Sequence, residues 1–190
     1  MIEVRPGGRR RIDRVLDPGY VTGLAGLALE EVRARRDDAA QEETDLSYLR
    51  RLLHARIDIV HAEQQRRCEG GSAPVVAELT RILAANAVGP ATGSGRFQTV
   101  EPSQAEAHRR TVEALVANVD LSYVASLSGE QLDGALQDYR TEEASVSQHR
   151  REVQHVVDTF NAEIGSRYAS GAASVDDLLA EQRSLTRPPN

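Results

Sequence analysis

The residues of this 190-residue chain best equipped for chemistry come in two sets of five. Glu43, Ser47, Arg50, His54 and Asp58 are spaced four, three, four and four apart, and Glu143, Ser147, Arg150, Gln154 and Asp158 repeat that spacing 100 positions on. On a helix turning ~100° per residue, each set falls within an arc of about 80° and makes a polar stripe about 22 Å long. The residue types suit guanine and phosphate recognition. Arginine donates two hydrogen bonds to guanine O6 and N7 or stacks its planar guanidinium on a base, and a carboxylate accepts from guanine N–H groups. Serine and glutamine reach ribose or phosphate oxygens. Chemistry alone leaves the ligand open.

A polar helix face is ordinarily a solvated one, laced with ion pairs three and four residues apart. Duplication argues for more here. Residues 27–63 laid on 127–163 without a gap match at Leu27, Glu30, Asp38, Glu42, Glu43, Ser47, Arg50, Arg51, Asp58, Ala62 and Glu63, which is 11 identities in 37 positions. Unrelated amphipathic helices share apolar periodicity but rarely share polar residues in register. The repeat therefore predicts two long helices, about 27–67 and 128–169, folded into an antiparallel coiled-coil hairpin. The first would be about 60 Å long at ~1.5 Å per residue. Its seam is read as Leu46, Leu49, Leu53, Ile57 and Val60, answered by Val146, Val153, Val157 and Phe160, with His149 interrupting and Val156 and Ile164 extending it. Leu49, Leu53, Ile57, Val153 and Phe160 are expected to be mostly buried.

The fold class is all-α, with additional short helices around the hairpin. Pro74 suits the first turn of a short helix to Ala87, with Val75, Val76, Leu79 and Leu83 on one face. Residues 88–102, with three Gly and two Pro, read as loop, and 103–119 as helix with Val112, Leu115 and Val116 together. Ser128 with Gln131 forms a capping-box signature ahead of the second long helix, and a short amphipathic turn spans 174–179. Residues 1–19, broken by Gly and Pro and rich in arginine, read as a flexible basic arm; residues 20–183 form a single helical domain, and 184–190 a disordered tail.

Composition closes off several functions. The net charge is −6, with 23 basic residues against 29 acidic, so direct DNA binding is not expected. Every basic residue is arginine, which removes catalytic-lysine mechanisms. One cysteine, Cys68, rules out a disulfide framework or a multi-cysteine zinc site. No apolar run reaches membrane-spanning length, and the start lacks a signal-type stretch, so the expected location is the cytoplasm, with no membrane partner.

Glu-x3-Ser-x2-Arg-x3-Gln-x3-Asp, once on each helix of an antiparallel coiled coil, resembles the cyclic di-GMP signature of the RsiG anti-sigma factors. Glu143, Ser147, Arg150, Gln154 and Asp158 match at every position; the first copy matches at four of five, with His54 in place of glutamine. Histidine donates or accepts one hydrogen bond but does not present an amide's donor and acceptor together. The flanking strings LSYLRRLLHARIDIV and RTEEASVSQHRREVQ add to the likeness, which covers roughly residues 20–67 and 128–183. The resemblance implies a regulator that is not an enzyme. Such a protein binds cyclic di-GMP as a stacked dimer on the coiled coil and, with it, sequesters a sporulation sigma factor of the WhiG type. All ten stripe residues would then be ligand-binding, none catalytic and none a metal ligand.

Other constellations carry less. Glu152-x-x-His155 is half of a di-metal motif, but the repeat-equivalent positions are Leu52 and Ala55. His54, Asp58 and His61 have zinc-compatible helical spacing, yet a solvated face explains them better. Gly93-Ser94-Gly95-Arg96 lacks the rest of a phosphate loop. Arg9-Arg10-Arg11 steers an acidic surface or does nothing. The alternative to a nucleotide-dependent anti-sigma factor is a structural coiled-coil adaptor with no nucleotide ligand.

Overall fold

In the computed structural model, residues 2–70 and 121–171 are described. The short helices read at 74–87 and 103–119, the loop 88–102, the turn at 174–179 and the tail all lie outside them. The described elements are α1 (Arg11–Val15), two 3-10 turns (Pro18–Val21 and Leu24–Gly26), α2 (Leu29–Cys68), a third 3-10 turn (Leu121–Ser126) and α3 (Gly129–Ala169). The protein is all-helical, and α2 and α3 pack antiparallel. Cross-helix hydrogen bonds track this direction, running Arg50–Ser147, His61–Arg140 and Gln64–Asp133, with numbers rising on one helix as they fall on the other.

The helix ends follow their sequence signals. The Ser128 N–H donates to Gln131 Oε1 at 2.7 Å, and the Gln131 N–H donates to Ser128 Oγ at 3.1 Å, completing the capping box. Gly70 and Gly171 follow the long helices at φ +66° and +75°, a left-handed exit that glycine makes without Cβ strain.

The seam keeps one phase along both helices. Val32, Ala39, Leu46, Leu53 and Val60 on α2, and Leu132, Tyr139, Val146, Val153 and Phe160 on α3, recur every seven residues, and each is at most 3% exposed. Leu49, Leu53, Val153 and Phe160 are buried as expected, but Ile57 and Val157 are only half-buried. The alternation of three and four from Leu53 to Val60 passes through position 56 rather than 57, and Arg56 and Ile57 are both half-buried there. The same alternation buries Glu42, Glu63 and Glu142, which the apolar pattern could not reveal.

The chain forms two compact units, one of residues 1–4 and 43–151, the other of residues 5–42 and 152–190. In the first, Glu63 has no exposed surface and accepts hydrogen bonds from Arg66 and Arg67. The Arg66 hydrogen bonds, opposed by burial and helped by Arg67, hold its carboxyl down at about 2. Arg67 also donates to the carbonyls of Val124 and Ala125, tying the end of α2 to the entry of α3. Ile2 is buried, and its carbonyl accepts from His149 Nε2 at 3.0 Å.

In the second unit, Leu24, Val32 and Phe160 form a core, with Tyr20, Val21, Leu27, Val156 and Ile164 packed against it. The Tyr20 and Phe160 rings meet edge to face, 5.6 Å between centroids. Arg167 donates to the carbonyls of Leu24 and Leu27, satisfying the chain just before α2. Within the segment read as an arm, α1 leaves Ile12 and Val15 with no exposed surface. Asp13 accepts from Arg10 and the Arg5 N–H, and the Arg10 hydrogen bond, against burial, holds its carboxyl at about 2. A Cβ on Gly8 would stand 2.3 Å from Asp13 Oδ2 and 2.9 Å from the Arg5 carbonyl, so that turn requires glycine.

Two outcomes follow from this packing. Phe160→Ala should lower unfolding free energy by about 3–5 kcal/mol in urea titrations, because the cavity lies in a closed core. Glu63 titrates at about 2 when folded against an ordinary 4.5, so its stabilisation is complete above pH 4.5 and is lost as pH falls toward 2. Glu63→Gln should therefore flatten the stability profile across that window, leaving the smaller Asp13 contribution.

Candidate functional site

In the first unit, seven of the ten stripe residues are joined by hydrogen bonds. Arg50 Nε on α2 donates to Glu143 Oε1 at 3.1 Å and to Ser147 Oγ at 2.9 Å on α3. The repeat-equivalent pair is reciprocal: Arg150 NH1 on α3 donates to Glu43 Oε1 on α2 at 2.9 Å. Each serine donates back one turn to the glutamate of its own set, Ser47 to Glu43 at 2.8 Å and Ser147 to Glu143 at 2.6 Å. His54 Nε2 lies 3.1 Å from Glu143 Oε1 and serves as a third donor to that oxygen. The seven groups form an approximately two-fold arrangement, each half built from a glutamate and serine of one helix and an arginine of the other.

The electrostatics match the geometry. Burial pushes the Glu143 carboxyl up, but the hydrogen bonds from Ser147, His54 and Arg50 outweigh it and leave the group below its ordinary value. It is therefore ionised at neutral pH. The side chains of Arg50 and His54 remain 42% and 44% exposed, and those of Arg150 and Glu43 28% each, so all four are within reach of a ligand from solvent.

The other three stripe residues are Asp58, Gln154 and Asp158. Asp58 is half-buried two turns beyond Arg50 on α2, about 12 Å along the axis. Gln154 and Asp158, in the second unit, are exposed on α3. His61 accepts from Arg140 at 3.0 Å while His54 turns to Glu143, so the two histidines serve different partners. Among the described residues no cluster of three or more His, Cys, Asp or Glu side chains could hold a metal ion.

The sequence spacing sets each glutamate on the same helix face as the arginine of its own set. The structure pairs them across the hairpin. The signal was present in the repeat, because an antiparallel pair brings together positions whose numbers have a constant sum, and 43 with 150 and 50 with 143 share it.

The RsiG-like family model matches residues 18–83 and 118–182, well over half of the chain. The chain belongs to the RsiG-like family, a regulatory anti-sigma family rather than a family of enzymes. No curated protein matches it. Among the described residues no helix is long and apolar enough to cross a membrane.

The ion pairs are too exposed to carry the fold, since partly exposed pairs contribute about 0–1 kcal/mol. Arg50→Ala should cost less than about 1 kcal/mol of stability, against about 2–5 kcal/mol for Leu53→Ala in the seam. Chemical denaturation of the two variants checks this, and a large loss for Arg50→Ala would assign the stripe a structural role.

Proposed function

We propose that this protein is an anti-sigma factor that binds cyclic di-GMP along its two stripes and, with the nucleotide bound, sequesters a sporulation sigma factor of the WhiG type from RNA polymerase. The observation that carries this reading is the reciprocal pairing of Arg50 with Glu143 and of Arg150 with Glu43. A cyclic dinucleotide is itself two-fold, with two guanines and two phosphates, and a two-fold set of guanidinium, carboxylate and hydroxyl groups complements it. Arg50 and Arg150 read or stack on guanine, and Asp58 and Asp158 accept from guanine N–H groups. Ser47, Ser147 and Gln154 contact ribose or phosphate, with His54 substituting for a glutamine. Glu43 and Glu143 hold the arginines extended across the hairpin until the ligand arrives.

Family membership supports the sigma partner. If nucleotide and sigma factor share an interface, each raises the other's affinity by the same factor, so loss of the second messenger releases the sigma factor.

One observation favours the structural adaptor instead: the paired charges already satisfy one another without a ligand. Calorimetry separates the two readings. Saturable cyclic di-GMP binding is expected. Arg150→Ala should weaken it at least ~10-fold, the cost of removing one charged hydrogen-bond partner at about 1.5–3 kcal/mol, and Arg50→Ala comparably. Arg56→Ala, about 160° round the helix from Asp58, should bind as the parent does. Equal binding by Arg150→Ala and Arg56→Ala would return the stripe to an adaptor's polar face. Pull-down of a purified WhiG-type sigma factor should require the nucleotide.

A further inference from the structure

The two halves of the ion-paired group are not equivalent. Glu43 Oε1 receives Ser47 and Arg150, whereas Glu143 Oε1 receives Ser147 at 2.6 Å, Arg50 at 3.1 Å and His54 at 3.1 Å. The extra donor comes from the position where the copies differ in kind, because an imidazole can gain a second N–H and a positive charge and the amide of Gln154 cannot. We propose that His54 takes over Glu143 as an imidazolium when an anionic nucleotide draws Arg50 away, so that binding at this half of the stripe takes up a proton and binding at the other half does not. The inference rests on the nucleotide reading above.

The proton balance is simple. Glu143 is an ionised acceptor, so the ring nitrogen facing it, Nε2, carries the hydrogen, and Nδ1 holds the lone pair. An arginine that turns to guanine or phosphate leaves this carboxylate with one cationic partner fewer, while the ligand brings negative charge beside it. Both changes favour a positive ring. A solvent proton adds to Nδ1, and Nε2–H stays on Glu143.

The other charged or titratable groups along this stretch do not supply that charge instead. On α3, Arg150 is held by Glu43 and Arg140 by His61, Tyr139 is buried with its hydroxyl pushed further up and stays neutral, and Glu142 adds negative charge. On α2, Asp45 and Asp58 are further acids, Arg51 is exposed to solvent, and the half-buried Arg56 acts on the Tyr139 hydroxyl. Glu3 of the N-terminal segment is a further acid, and His149 is engaged by the Ile2 carbonyl.

Calorimetry of the full chain with cyclic di-GMP tests this, at pH 6 and pH 8 and in two buffers of different ionisation enthalpy. The nucleotide's phosphodiesters do not titrate in this range. Affinity should rise about three- to tenfold from pH 8 to pH 6, within the limit of tenfold per pH unit for one linked proton. The heat should depend on the buffer in the sense of proton uptake. His54→Gln should still bind, with affinity independent of pH and heat independent of buffer, which also excludes His61 and His149 as the source. Parent binding without proton uptake, or uptake that persists in His54→Gln, overturns the inference and leaves the nucleotide reading intact. No binding at either pH overturns both.

Discussion

The position of every chemically useful side chain in this protein follows from the register in which α2 and α3 meet. A slip of one residue would translate a helix by about 1.5 Å and turn its faces by ~100°, so the ion pairs exist in one register only. The seam selects that register. Burying a Val, Leu or Phe contributes about 1.5–3 kcal/mol, and eleven apolar seam side chains among the described residues, Leu49 included, are at most 3% exposed. An exposed ion pair is worth about 0–1 kcal/mol. The apolar residues therefore choose the alignment, and Arg50, Glu143, Arg150 and Glu43 are brought together by it.

The seam is not uniformly apolar, and the exceptions narrow its choices. Glu42, Glu63 and Glu142 occupy inner positions with almost no exposed surface. Charges inside a coiled coil cost stability and penalise registers in which their partners are out of reach. Glu63 illustrates the solution, with two arginines of the following turn on one carboxylate. Such a hairpin has less stability to spare than an all-leucine seam and is more restricted in the ways it can pair.

Duplication gives the stripe its symmetry, and divergence gives it its asymmetry. Two copies of one helix packed antiparallel generate approximate two-fold sites without further invention, which suits a two-fold ligand. A single change, histidine for glutamine at position 54, then distinguishes the halves chemically while leaving the shared glutamate, serine and arginine in place. On the proposed reading, the ligand does not enter an empty groove. It exchanges bonds already made, so the affinity reflects a difference between two sets of hydrogen bonds, and small changes in either set are felt.

Much of this was legible in the chain itself. The lengths of the two helices, their antiparallel pairing and the capping box at Ser128 all follow from period, repeat and spacing, which are local properties. Family membership agrees with the resemblance carried by the two motifs. Tertiary structure decided what local pattern cannot express. It buried Glu42, Glu63 and Glu142, because helical phase, rather than polarity, determines which positions face the partner helix. It left Ile57 only half-buried, because the alternation from Leu53 to Val60 passes through position 56. It formed α1 within a glycine- and arginine-rich segment by burying Ile12 and Val15, two apolar residues too few to make a visible period. It also turned the stripe glutamates toward arginines about a hundred residues distant, a pairing that exists only once the helices are side by side.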